Sequence, residues 1–121
     1  MHPENTFLRL WRLSCVTPVT SAYALGEVHH NIKQSAHHER FDALAAKTRL
    51  VSDANTAFVP NHIQLAEKDK PILAAAIAAS VDYLITGDKN HFSHLYSRTV
   101  AGVSILPPST FLAAFNCRLQ P

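Results

Sequence analysis

The chain of 121 residues carries eleven Lys and Arg against nine Asp and Glu, a formal net charge of +2, together with eight histidines. It is 47% hydrophobic and 17% charged, with three glycines and seven prolines, which excludes a disordered, collagenous or low-complexity polymer and leaves room for one domain, 1–121. The basic residues are scattered rather than clustered, so charge permits nucleic-acid binding without indicating it.

No apolar run reaches the roughly 18 residues that a membrane span needs. The longest, Ile72 to Val81, is alanine-rich and interrupted by Ser80. The beginning of the chain places Glu4, Arg9 and Arg12 among its apolar residues and lacks an uncharged core of signal-peptide type, so the expectation is a cytoplasmic protein. Cys15 and Cys117 are too few and too far apart to read as a disulfide framework or a zinc knuckle, and buried thiols are expected.

In chain order, Phe7, Leu8, Leu10, Trp11 and Leu13 predict a short amphipathic helix over residues 4 to 13. Cys15 to Thr20 is a β-branched strand candidate in which Pro18 removes one donor, favouring edge or bulged pairing. Ser21 supplies an N-cap for a helix through Tyr23, Leu25, Val28 and Ile32, and another helix is expected over His37 to Lys47. Arg49 to Asp53 reads as a short strand and turn. Asp69 then caps a helix with Pro71 in its first turn, running as far as Ser80. Asp82 to Thr86 is a strand stopped by Gly87, and Val103 to Leu106 another stopped by Pro107 and Pro108. A terminal helix over residues 109 to 116 starts at Ser109 or Thr110. There is no internal repeat and no linker. Four short strands separated by helices predict an α/β fold with a parallel sheet covered on both faces.

In such a sheet, loops after strands and the starts of helices share one edge, where ligands bind. That topology brings Glu27, Asp69 and Asp88 toward one place. Gathered carboxylates repel, which is tolerable chiefly when protons or a hard cation such as Mg²⁺ or Mn²⁺ neutralise them. Each has an ordinary reading beside this: Asp69 as an N-cap, Asp88 as a turn aspartate, Glu27 as a solvated helix residue.

The run Lys68-Asp69-Lys70-Pro71-Ile72-Leu73-Ala74-Ala75-Ala76-Ile77, followed by Asp82-Tyr83-Leu84-Ile85-Thr86-Gly87-Asp88-Lys89-Asn90-His91-Phe92, resembles the C-terminal half of a PIN domain. Thr20 to Glu27, leading to Asn31, is similar to the segment of that family carrying its helical glutamate. Gly102 to Pro108, with Phe111 and Leu112, resembles its last strand and helix. The resemblance implies an α/β, three-layer PIN-like domain, its mainly parallel sheet flanked by helices. The family's first strand, which normally ends in an aspartate, has no counterpart in this sequence.

By the same resemblance the protein is expected to be a divalent-metal-dependent ribonuclease, toxin-like, with Mg²⁺ or Mn²⁺ held by Glu27, Asp69 and Asp88. Its partners would be an RNA substrate and an antitoxin protein. Thr86 would orient a ligand carboxylate or a water, and Lys89, Asn90, His91 and Asn31 would stand beside the site or contact phosphate. The absent strand implies a homo-oligomer or strand exchange, since unpaired edges are sticky. Three carboxylates in place of four imply weaker metal binding. The alternative is a catalytically inactive PIN-like binding or assembly protein that engages an antitoxin or nucleic acid.

Other constellations carry less. His29-His30 and His37-His38 lack the i, i+4 spacing of a zinc pair and read as surface residues. His91 and His94 can share a helical face, where Phe92 and Leu95 suggest local packing.

Overall fold

The computed structural model describes residues 15–25 and 48–115. The first expected helix, the helix expected over His37 to Lys47, Glu27, Asn31, the paired histidines 29–30 and 37–38, and Cys117 lie outside the described residues. Within them the chain is mixed α/β, built from β1 (Val19–Ser21), β2 (Arg49–Val51), α1 (Lys70–Ala78), β3 (Tyr83–Ile85), α2 (Lys89–Phe92), β4 (Arg98–Val100), β5 (Val103–Leu106) and α3 (Pro108–Ala114). A 3-10 turn, Thr56–Phe58, follows β2 and is capped by Asn55, whose side chain accepts from the Ala57 amide at 2.8 Å.

β1 begins immediately after Pro18, whose missing donor leaves its carbonyl still able to accept from the Arg49 amide at 3.0 Å. The expected strand from Cys15 is thus shorter and shifted. Ser21 ends β1 and also caps the helical residues 22–25, its hydroxyl accepting from the Ala24 amide at 3.2 Å. β1 and β2 pair in parallel, Val19 with Arg49 through Ser21 with Val51.

β3 and β5 also pair in parallel, Tyr83 with Ser104 through Ile85 with Leu106. β4, which the sequence pattern does not announce, pairs antiparallel with β5, Arg98 opposite Ile105. Its connection to β5 is a tight turn through Ala101 (φ 49°) and Gly102 (φ 89°), both in the left-handed region that two-residue hairpins require. The strands therefore form two sheets, β1–β2 and β3–β5–β4, rather than the one parallel sheet expected. No ladder joins β1 to β3 among the described residues. Periodicity identifies strands but not their neighbours, and a sheet closes only where backbones meet.

Alternation along β5, buried at Val103 and Ile105 and half-buried at Ser104 and Leu106, assigns its two faces. Ile105 packs with Leu73 and Ala74 of α1, Phe92, Leu95, Val59 and Val100, with Leu84 of β3 against them. On the other face Leu106 and Ile85 pack against Phe111 of α3, together with Val16 and Phe115. Tyr83 completes an aromatic trio: its ring centroid is 5.3 Å from both Phe111 and Phe115 in edge-on geometry.

α1 forms because Pro71 presets its first turn and an alanine-rich run lets its axis approach the core closely, with Ala74 fully buried. It ends at Ala78, and Ser80 (φ 55°) turns the chain toward β3. α3 starts at Pro108, one residue before the expected cap, because proline suits a first turn that needs no amide donor. Cys15 is exposed and disulfide-bonded, which corrects the expectation of buried thiols at this position. Separation along the chain does not limit which sulfurs meet in space. No described helix is long and apolar enough to cross a membrane.

Candidate metal centre

Asp69 and Asp88 both occupy N-cap positions, of α1 and α2 respectively, and neither side chain makes a capping hydrogen bond. The ordinary reading of a helix-start aspartate, acceptance from first-turn amides, therefore describes neither carboxylate. Asp69 has helical backbone angles (φ −97°, ψ −18°) rather than the extended ones typical of a cap.

The Asp69 side chain is only 7% exposed. Its Oδ2 is fully buried and has no hydrogen-bond partner. A buried polar atom left without a partner costs about 1–3 kcal/mol, and more if it carries charge, so such atoms are uncommon and call for a ligand or a proton. Beside it, His91 Nδ1 lies 3.7 Å from Asp69 Oδ2 and 2.7 Å from Asp88 Oδ2. Ligating atoms of Asp69, Asp88 and His91 all lie within 4.8 Å of one another, close enough for one ion to reach all three.

Asp88 is held by its own strand end. Its amide donates to Thr86 Oγ1 at 3.2 Å, folding the β3–α2 loop back on itself. The Thr86 carbonyl accepts from the Tyr96 hydroxyl at 2.8 Å, and the Thr86 amide donates to the Leu106 carbonyl at 3.1 Å, so the loop is fastened on two sides. The hydrogen bond and charge of His91 hold the Asp88 carboxyl below the usual carboxylate range, against a smaller opposing effect of burial. Tyr96 is displaced the other way: burial, then the nearby Asp88 charge, push its phenol above the ordinary value of 10.0.

Asp69 is positioned by the turn before α1. Its amide donates to the Ala66 carbonyl at 2.9 Å, and its own carbonyl accepts from Ile72 and Leu73. The Tyr23 hydroxyl donates to the Lys68 carbonyl, and the Tyr23 amide donates to Asp53 Oδ1 at 3.1 Å. The start of the helix after β1 is thereby placed beside the Asp69 turn. Glu27 and Asn31 come later in the chain, outside the described residues.

Of the other expected site residues, Lys89 and Asn90 are exposed on α2. An open groove of about 440 Å³ runs past the cluster, lined by Gln64, Leu65, Lys70, Asn90, His91 and His94. His94 Nε2 meets the Gln64 carbonyl at 2.6 Å, while Phe92 and Leu95 are buried in the core, so the local packing expected of them is present. The structure thus brings Asp69 and Asp88 together and adds His91 on equal terms. From the sequence alone His91 reads only as a residue beside the site or contacting phosphate. The available signal was the Asp88-x-x-His91 spacing, which puts both on one side of a first helical turn. Tyr23, Asp53 and Tyr96 carry no motif that marks them in the sequence.

Compared with known proteins, the chain matches no family model, no curated protein and no solved structure.

Proposed function

We propose that this protein is a divalent-metal-dependent ribonuclease that hydrolyses phosphodiester bonds, on a three-layer PIN-like α/β scaffold. The observation that carries the proposal is the buried, unpartnered Oδ2 of Asp69, facing Asp88 and His91 at two helix starts whose carboxylates cap nothing. Asp69 and Asp88 would hold Mg²⁺ or Mn²⁺, with Glu27 as a third carboxylate. When bound, the ion supplies a water nucleophile at neutral pH and offsets the charge that develops on the phosphate.

The chain's own groups do the rest. Thr86 and Tyr96 fix the Asp88 loop, so that its carboxylate need not be reoriented during turnover. Lys89 and Asn90, exposed beside the cluster, contact the substrate phosphates, and the groove past His91 and His94 receives the strand next to the scissile bond. The partner proposed is an antitoxin protein covering this edge.

The split between β1–β2 and β3–β5–β4 supports a second reading, a non-catalytic assembly protein. Cleavage separates the two. Purified 121-residue chain is incubated with mixed-sequence single-stranded RNA and Mn²⁺ or Mg²⁺, with EDTA, and as Asp88→Asn. Metal-dependent cleavage that Asp88→Asn reduces at least ~100-fold is expected. Cleavage that survives the substitution points to a contaminating nuclease, and no cleavage by the folded chain favours the assembly reading.

A further inference from the structure

The position of His91 bears on which ion the cluster takes. Ligand atoms around one ion about 2.1 Å away stand roughly 3.0–3.4 Å apart. His91 Nδ1 is 2.7 Å from Asp88 Oδ2 and 3.7 Å from Asp69 Oδ2, distances that bracket that spacing. A histidine that merely oriented a ligand carboxylate would address it from behind, with its other neighbours being backbone or solvent. Here the same ring nitrogen faces both carboxylates, and one of the facing oxygens is the buried Asp69 Oδ2 that no donor satisfies. The nitrogen borders the point that an ion bound by both aspartates occupies.

We infer that His91 ligates the ion through its ring nitrogen, making the centre a two-carboxylate, one-imidazole site that selects a first-row transition ion such as Mn²⁺ or Zn²⁺ over Mg²⁺. Mg²⁺ takes oxygen ligands and keeps its waters, whereas imidazole favours the transition ions. α2 delivers the ring: Asp88 at its N-cap and His91 a turn later share one side, and the buried Phe92 next to His91 pins the helix to the core. Exposed Lys89 and Asn90 cannot substitute, since an ammonium does not ligate and an amide is a weak donor. The inference rests on the metal-binding part of the proposed function and not on RNA hydrolysis.

The test uses Mn²⁺ on the full chain, read by pulsed electron paramagnetic resonance for nitrogen modulation on the bound ion, and by Mg²⁺ competition. The wild type should show imidazole nitrogen on bound Mn²⁺, and Mg²⁺ should displace it only in excess on the order of tenfold or more. In His91→Ala the nitrogen signal should vanish and Mn²⁺ affinity fall by at least ~10–100-fold, with Mg²⁺ affinity changed far less. His91→Gln is the companion should the alanine variant not fold, and Asp69→Asn should lose both ion and nitrogen signal, which excludes the other seven histidines.

Bound Mn²⁺ without nitrogen modulation, or modulation that persists in the His91 variants, overturns the inference while leaving an oxygen-only nuclease centre intact. Equal loss of Mn²⁺ and Mg²⁺ affinity in both His91 variants also overturns it, making His91 a positioning residue. Nitrogen-ligated Mn²⁺ in a chain that cleaves no RNA sustains the inference and defeats the ribonuclease. No ion binding at all defeats both.

Discussion

Replacing Asp69 by Asn should make the metal-free protein more stable and the metal-bound comparison reverse. In the folded chain this side chain is 7% exposed, makes no capping bond, and leaves Oδ2 without a donor. Two carboxylates whose ligating atoms stand within 4.8 Å repel by about 3 kcal/mol at an effective dielectric of ~20 and about 1 in water-like surroundings. Attraction to the α1 N-terminus returns about 0.3–1 kcal/mol. The neutral amide can also donate toward Asp88. The balance is a gain of about 1–2 kcal/mol, a rise of several degrees in Tm for a domain of this size.

Added Mn²⁺ should raise the wild-type Tm in proportion to the logarithm of ion concentration, by about 2.7 kcal/mol at one hundred times Kd, and leave the variant unmoved. Thermal unfolding followed by circular dichroism, in EDTA and across a Mn²⁺ series, reads both effects. A loss of 1 kcal/mol or more for Asp69→Asn in EDTA would refute the reasoning, because it would make the carboxylate a structural acceptor. Parallel Mn²⁺ responses in the two proteins would refute the metal half.

Tyr96→Phe removes the hydroxyl that donates to the Thr86 carbonyl and should cost about 1 kcal/mol at neutral pH. Because the folded pKa lies above 10.0, the wild type keeps this contribution below that pH and loses it as pH rises toward the folded value. The difference between the two proteins should therefore shrink in alkaline urea titrations, and a constant difference would contradict the assignment. Ala101→Asn should stabilise by about 0.5–1 kcal/mol, since Ala101 sits at φ 49° and asparagine tolerates that region better; a lower urea midpoint would contradict the turn. The ends of the two sheets should drive self-association, seen as concentration-dependent mass in sedimentation, and a monomer throughout would show these edges to be covered within the chain.

Where local chemistry decides the structure, the sequence is readable. Pro71 and the alanine run announce α1, Gly87 stops β3, and paired prolines end β5, each within a residue or two of the observed limits. β4 is different. Arg98 and Thr99 are exposed and only Val100 is buried, so no alternation marks the strand, which exists because β5 pairs with it. The two carboxylates were legible because helix starts and strand ends share an edge in α/β topology. Their failure to cap was not, since it depends on the backbone angle at Asp69 and on the ring of His91 engaging Asp88, neither of which residue type alone dictates.

The distribution of the core has a consequence for motion. Among the described residues, every fully buried apolar side chain falls between Val59 and Phe111, and the only buried residue before them is Ser21. Local opening costs least where few apolar contacts must be broken, so β1 and β2 should exchange their amide hydrogens first, and Leu84 and Ile105 last. Asp69, Asp88 and His91 all lie between Val59 and Phe111, within the segment that should exchange slowly. The hydroxyl of Tyr23 on the Lys68 carbonyl is then a tie between the less buried flank and the turn that carries Asp69.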